Sequence, residues 1–274
     1  MTSARRRRRF THRFGPTAVV TGASSGIGRA IAVELGGRGM DLVLVARREP
    51  LLDALAAELR TQHGVAVDVL PLDLTDATAA TTLLERTAHH DVGLYVAAAG
   101  FGTSGPFLEA DLDKEVEMLR LNTEAVMTTT HGFARRMAAR GSGGIVLLSS
   151  VVAFQGVPRA AHYAATKAYV QTFAEGLRPE LRAQGVELVA VAPGPVHSGF
   201  AERSGMTITR AVTARAVAAP ALDALGRRGV VAPGTLSRVL TAVLSPLPRR
   251  VRTTIMAGVM KGMTPDGGGG RQRS

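Results

Sequence analysis

The sequence predicts an α/β domain in which a doubly wound parallel sheet is covered by helices. Three observations carry that prediction. Short β-branched runs alternate with longer helical patterns from about residue 17 to residue 232. The first of those runs feeds a glycine-rich turn that opens a helix. No repeat of fixed period and no linker long enough to separate two domains interrupts the alternation, so a single domain is expected.

Thr17 to Thr21 reads as the first strand and Ile27 to Arg38 as the helix after it. Asp41 to Ala46 is a second, buried strand; the helix after it, from about Pro50 to His63, has apolar residues at Leu51, Leu52, Leu55, Ala56 and Leu59. Val65 to Pro71 gives a third strand. Thr75 to His89 follows as a third helix, capped by Thr75 or Asp76, and Val92 to Ala98 is a fourth strand. A long helical region covers about Asp111 to Arg140. Ile145 to Ser149 is the fifth strand, His162 to Leu181 a long helix with an irregularity at Pro179, and Val186 to Ala192 the sixth strand. Residues 194–213 lack periodicity and read as a loop or lid. A helix at Ala214 to Arg228, a short strand at Val230 to Ala232 and a helical segment from about Leu236 to Met260 with proline breaks close the body.

Composition narrows the function classes. The chain has 274 residues, 46% of them hydrophobic, and no cysteine, which excludes a disulfide framework, thiolate metal ligation and a cysteine nucleophile and suits a reducing, cytoplasmic home. No run of 18 or more apolar residues is present, so no membrane span is expected. The formal charge of +11 would ordinarily suggest a polyanionic partner. It sits at the ends: residues 1–13 hold six arginines and no acid, and residues 246–274 hold six bases against Asp266 alone. Residues 14–245 carry 21 bases and 21 acids. No specific nucleic-acid binding is expected, because no helix-turn-helix, winged or zinc pattern accompanies the charge.

The chemistry concentrates in a few segments. The first strand runs into Thr21-Gly22-Ala23-Ser24-Ser25-Gly26-Ile27-Gly28. Glycines there allow a tight turn and close backbone approach to a pyrophosphate, whose charge suits the positive end of a helix. The plainer alternative is a turn that needs glycine for its dihedrals only. Tyr163 and Lys167 stand four apart on a predicted helix and so share a face, where an ammonium favours the neighbouring phenolate. The plainer alternative is an exposed aromatic beside a solvated lysine.

Taken jointly, these segments resemble the short-chain dehydrogenase/reductase family. TGASSGIG at 21–28, Asp73-Leu74, Ala99-Gly100, Asn122, Ser149-Ser150, Tyr163 with Lys167, and Pro193-Gly194-Pro195-Val196 fall in the family's order. The resemblance implies a Rossmann-like fold and an oxidoreductase moving a hydride between a nicotinamide and a ketone or secondary alcohol. It implies a catalytic set of Asn122, Ser150, Tyr163 and Lys167, with Tyr163 as acid or base and Ser150, thirteen residues before it, on the substrate oxygen. Lys167 then binds the nicotinamide ribose and depresses the tyrosine pKa, and Asn122 holds a relay water. The implied cofactor contacts are Gly22, Ser24, Ser25, Gly26, Ile27, Gly28, Arg47, Asp73, Leu74, Ala99, Gly100, Asn122, Tyr163, Lys167, Pro193, Gly194, Val196 and Ser198. The family's Asn-Asn-Ala-Gly is Ala97-Ala98-Ala99-Gly100 here, which puts local sheet rigidity in doubt, and Leu147 replaces a frequent asparagine and reads as core.

NADP(H) is favoured over NAD(H): the second strand ends in Ala46-Arg47-Arg48 with no acid to accept from a ribose hydroxyl, and guanidinium suits a 2′-phosphate. The alternative is that both arginines begin a solvated helix. Asp73 either accepts from the adenine amino group or caps the third helix. Phe101, Phe154, Val157, Phe200 and Met206 suggest an apolar substrate pocket or simply pack loops on the sheet. No metal is expected, since His162 and His197 have no carboxylates at ligand spacing. The chain divides into a basic disordered arm at 1–15, a dinucleotide-binding catalytic domain at 16–262 with its substrate loop at 194–213, and a flexible tail at 263–274. A homo-oligomer through the helices at about 111–140 and 162–181 is implied by the resemblance. The basic termini, including Arg249, Arg250 and Arg252, point to weak peripheral contact with an anionic membrane or to a merely solvated arm and tail. The rival of a different class is a catalytically idle dinucleotide-binding sensor or scaffold of the same fold.

Overall fold

The computed structural model describes residues 10–197, 211–244 and 246–263. β-Branched residues, stiff at χ1 and suited to a pleated surface, recur in β1 (Thr17–Thr21), β2 (Asp41–Ala46), β3 (Val67–Pro71), β4 (Val92–Ala97), β5 (Gly143–Leu148) and β6 (Val186–Val191). The short strands β7 (Val196–His197) and β8 (Val212–Thr213) pair with each other, so the ends of the expected 194–213 loop are drawn together. With β9 (Val230–Val231) at one edge, the main sheet runs β3-β2-β1-β4-β5-β6-β9, every neighbouring pair parallel. That order reverses direction between β1 and β4, which opens a crevice beyond the carboxyl ends of those strands.

The helices are α1 (residues 10–14), then α2 (Gly26–Gly37), α3 (Glu49–His63), α4 (Ala79–Arg86), α5 (Leu112–Leu119), α6 (Ala125–Arg140), α7 (Ala161–Ala183), α8 (Ala214–Ala224), α9 (Thr235–Leu244) and α10 (Arg249–Met263). Successive strand residues point to opposite faces of the sheet, so the core divides in two. Val20, Leu44, Leu94, Val96 and Val146 meet Ile31, Leu35, Leu52, Leu59 and Val217 from α2, α3 and α8. Val19, Val45, Tyr95, Ile145 and Leu147 meet Leu83, Phe133, Met137 and Val170 from α4, α6 and α7. Leu147 is core, as its sequence context predicts.

Four boundaries differ from expectation. The helix expected over 75–89 shortens to α4, because the Asp73 carboxylate accepts from both the Thr75 N–H and hydroxyl and holds a turn there, and Thr78 takes the cap position. The helix begun by Asp111, whose carboxylate accepts from the Asp113 and Lys114 N–H groups, is divided by a π-helical turn over Arg120–Glu124. The helix expected to run from Ala214 to Arg228 ends at Ala224, where Leu225 turns extended; the late helix divides around Pro246 and Pro248 as its proline breaks predict, and Pro179 stays within α7.

The fourth boundary is the arm expected over 1–15. Its last residues, 10–14, are helical instead. Phe10 and Phe14 stand four apart and their rings lie 4.9 Å from each other. Phe14 is buried, and its carbonyl occupies the place where a side chain on Gly93 would go. Arg13 pairs with Glu187 at 2.7 Å, and the Arg38 guanidinium lies 4.8 Å from the Phe10 ring centre. Residues 1–9 and the tail from residue 264 lie outside the described residues.

Candidate active site

At the end of β1 the chain turns through Gly22, whose φ of +66° favours glycine and whose missing side chain would stand 2.8 Å from the Ala98 carbonyl oxygen. A side chain on Gly28 would collide with the Gly22 carbonyl. The turn therefore packs backbone on backbone. It delivers the N-terminus of α2, where Ser25 is the cap residue but makes no side-chain capping bond and no acid stands in the first turn. The free amides and the positive helix end give this corner an affinity for anions.

The missing asparagines after β4 are compensated by Thr21. Its hydroxyl donates to the Val96 carbonyl at 3.2 Å and accepts from the Ala98 and Ala99 N–H groups at 3.0 and 3.2 Å. One buried threonine thus ties β1 to the end of β4 at the bottom of the crevice.

β5 delivers two serines with different fates. The Ser149 hydroxyl donates to the Lys167 carbonyl at 3.2 Å and fastens α7 to the sheet. Ser150 caps a short 3-10 turn over Val151–Phe154 and hydrogen-bonds the Tyr163 phenol. Ser150 is thus the serine that meets Tyr163. Tyr163 and Lys167 lie one turn apart on α7, both nearly buried. The Lys167 ammonium donates to the Leu148 carbonyl at 2.9 Å.

Electrostatics here depart from the expectation that the lysine favours the phenolate. Burial pushes the Tyr163 phenol up to about 12, the Ser150 hydrogen bond pulling the other way, and burial pushes Lys167 down to about 8. Desolvation of each charged form outweighs their proximity. At neutral pH the tyrosine therefore holds its proton.

Asn122 sits in the π-turn, fully buried just behind the crevice wall. Its Nδ2 donates to the Phe101 carbonyl at 2.8 Å and to the Thr166 hydroxyl at 3.0 Å, and its Oδ1 accepts from the Phe101 N–H at 3.2 Å. A side chain on Gly100 would stand 2.8 Å from Asn122 Oδ1 and 3.4 Å from Lys167 Nζ, so glycine is what lets these groups approach the crevice.

At the end of β2 the two arginines diverge. Arg47 lies 3.4 Å from Asp73 and 3.3 Å from Glu117. Burial works to raise the Asp73 pKa, but hydrogen bonds from Thr75 and the Arg47 guanidinium outweigh it and hold the carboxyl below its ordinary value. Arg48 instead reaches back over the glycine-rich turn and donates to the Ser24 and Ser25 hydroxyls, both at 3.1 Å.

These elements enclose one cleft of about 610 Å³. Of the residues expected at the site, Gly22, Ser24, Ser25, Gly26, Ile27, Gly28, Arg47, Asp73, Leu74, Ala99, Gly100, Ser150, Tyr163, Lys167, Pro193, Gly194 and Val196 all line it. Asn122 stands behind it, and Ser198 lies outside the described residues. Of the expected apolar residues Phe101 lines the cleft, Val157 packs behind it, Phe154 is not on its wall, and Phe200 and Met206 lie outside the described residues. Met256, Val259 and Met260 of α10 close one side. Arg48 and Thr21 stand in the sequence only as part of the arginine pair and of the glycine-rich turn, and their partners give each a place of its own; Thr166 joins the site without having stood out, since a threonine is unremarkable until its partner Asn122 is placed. His162 Nε2 lies 3.1 Å from the Glu115 carbonyl oxygen. His90 does have a carboxylate partner, Asp68 at 2.9 Å, with His89 beside it, but none of the three lines the cleft.

A family model described as short chain dehydrogenase matches residues 16–208. The 7beta-hydroxysteroid dehydrogenase of Clostridium sardiniense is 33% identical over 185 residues, which is 68% of this chain and 71% of that protein. A solved short-chain dehydrogenase from Sphingobium yanoikuyae in complex with NADPH is 32% identical, with a TM-score of 0.77 over 85% of this chain and 97% of that one. A solved bulky-bulky ketone specific alcohol dehydrogenase from Comamonas testosteroni is 31% identical, with a TM-score of 0.72 over 86% of this chain and 96% of that one.

Proposed function

The chain belongs to the short-chain dehydrogenase family of oxidoreductases, and from that premise we propose that it is an NADP(H)-dependent reductase or dehydrogenase acting on an apolar ketone or the corresponding secondary alcohol. The observation that carries this reading is the convergence of Ser150, Tyr163 and Lys167 on the same cleft as the glycine-rich turn and the arginine pair.

A dinucleotide fits the residues present. The backbone packing at Gly22 and Gly28 leaves room beside the uncapped start of α2 for a pyrophosphate, and Arg48 with Ser24 and Ser25 forms a donor cradle for a 2′-phosphate. When bound, the nicotinamide supplies or accepts the hydride. The chain's own part is proton transfer and charge stabilisation. The Tyr163 phenol donates its proton to the substrate oxygen in reduction and recovers it in oxidation, and the Ser150 hydroxyl holds that oxygen. Lys167 holds the ribose, and its ammonium steadies the phenolate that reduction leaves behind. Asn122 is held by Phe101 and Thr166 and fixes the bend in the helix behind them.

Apolar substrate character rests on the opposite wall, where Phe101, Val152, Met256, Val259 and Met260 face the cleft. Two of the similar proteins are named for a hydroxysteroid and for bulky-bulky ketones. A second copy of the chain as partner rests on Leu112, Val116 and Leu119, exposed in one stripe on α5 beside exposed Met127 on α6 and Tyr169 on α7. The deciding experiment is a panel of ketones and secondary alcohols assayed with NADPH and with NADH. A kcat/KM ratio favouring NADPH on a bulky apolar ketone is expected, and no turnover across the panel with either nucleotide would refute the proposal.

A further inference from the structure

α10 presents three faces to three surroundings. Met256 and Met260 are buried against Val157, Ala160, Ala164 and Leu244, and with Val259 they reach the cleft. Beside them Val251, Ile255 and Val259, spaced i, i+4 and i+8 and so stacked in one stripe, are exposed by 43%, 40% and 42%. Gly258 and Gly262 widen that face, with nothing within 4 Å of the side-chain position of either. Further round the helix Arg250, Thr254 and Lys261 are exposed. Val259 belongs to both the stripe and the cleft, so the exposed apolar surface is continuous with the wall of the site.

The segment that carries this face has charge of one sign. Residues 224–263 hold seven bases and no acid. The expected basic cluster does not act as a whole, because Arg252 turns inward and donates to the Leu247 carbonyl at 2.7 Å and the Phe154 carbonyl at 3.4 Å. What faces outward is an apolar stripe with a basic flank, the pattern of a helix that lies in a membrane interface.

We infer that this face of α10 docks on an anionic bilayer surface. Val251, Ile255 and Val259 enter the boundary between headgroups and acyl chains, Arg250 and Lys261 meet the anionic headgroups, and the cleft receives its apolar substrate from the lipid side. Charge favours lipid over a second copy as the occupant: a two-fold partner sets Arg250 and Lys261 against the same bases of its own, whereas anionic headgroups neutralise them. Each cation near such a surface contributes about a fivefold gain in partitioning. Substrate delivery rests on the oxidoreductase reading of the cleft; docking does not.

The test is co-sedimentation of the full chain with vesicles of phosphatidylcholine alone and of phosphatidylcholine with phosphatidylglycerol, at low and high salt. The same measurement is made on the Val251→Ser/Ile255→Ser double variant, whose altered residues do not line the cleft. Turnover of a water-soluble ketone without vesicles and size-exclusion behaviour are recorded for both proteins. The expected result is binding to the anionic vesicles that weakens with salt, a drop of at least tenfold in the variant, and unchanged turnover and oligomeric state. Wild-type protein that stays in the supernatant when anionic vesicles sediment, or a variant that binds as wild type does, overturns the inference. A variant that changes oligomeric state while its vesicle binding is unchanged assigns the face to a second copy and overturns it as well. Turnover missing from both proteins across the ketone and alcohol panel while sedimentation behaves as expected refutes the oxidoreductase reading alone.

Discussion

Replacing Arg48 with alanine removes a guanidinium held 3.1 Å from two hydroxyls of the glycine-rich turn. In the proposed complex it meets a 2′-phosphate that NADPH has and NADH lacks, through charge-assisted hydrogen bonds of about 1.5–3 kcal/mol. Arg48→Ala therefore lowers kcat/KM for NADPH by about tenfold to about 150-fold and leaves kcat/KM for NADH unchanged. Arg47 serves as the internal comparison. Its side chain is 57% exposed, with Asp73 and Glu117 at 3.4 and 3.3 Å, so water and two carboxylates screen it. Arg47→Ala is expected to cost NADPH only about two- to fivefold. The assay is initial-rate kinetics on one ketone with each nucleotide below saturation. Equal losses for NADPH and NADH would mean that Arg48 merely braces the loop, and a larger loss in Arg47→Ala than in Arg48→Ala would move the phosphate to Arg47; either result refutes the assignment.

Three further outcomes follow from the same geometry. Lys167, lowered from 10.5 to about 8, stays protonated in both folded and unfolded chains below pH 8 and there carries its full burial cost. Between pH 8 and 10.5 the unfolded chain binds more protons, so stability rises with pH, until Tyr163, raised from 10.0 to about 12, opposes it above pH 10. Urea unfolding of wild type against Lys167→Met should show a relative gain of about 2 kcal/mol between pH 7.5 and 9.5; a flat difference contradicts it. Thr21→Val leaves the Ala98 and Ala99 N–H groups without their partner, so the thermal midpoint should fall by the equivalent of about 1–3 kcal/mol. Leu112→Glu puts a charge into the exposed stripe of α5, and sedimentation velocity should show a smaller species than wild type at equal concentration.

The sheet and the positions that line the cleft were legible in the sequence because each has a local cause. Thr17–Thr21 and Asp41–Ala46 are short runs with apolar centres and sharp ends, and they match their strands residue for residue. The spacing of Tyr163 and Lys167 already placed both on one helical face. What was not legible depends on partners distant in the chain. Phe10 and Phe14 look like the end of an arginine arm until Gly93 and Arg38 are brought beneath them. The π-turn at Asn122 is held by Phe101 and Thr166, which lie 21 and 44 residues away. The tyrosine pKa failed for a related reason: i, i+4 spacing reports proximity, but not the burial that outweighs it. Arg48 surpasses Arg47 at the turn only because α3 begins beside Ser24 and Ser25.

The central claim is that Tyr163 is the proton donor of a reductase, and it is tested most directly by single-turnover ketone reduction in Tyr163→Phe, with NADPH binding measured on the same protein by fluorescence. The change deletes one hydroxyl from a buried ring. NADPH affinity within about twofold of wild type is expected, together with a rate of reduction lower by about 10²- to 10⁴-fold. Reduction at the wild-type rate with NADPH bound would contradict the claim.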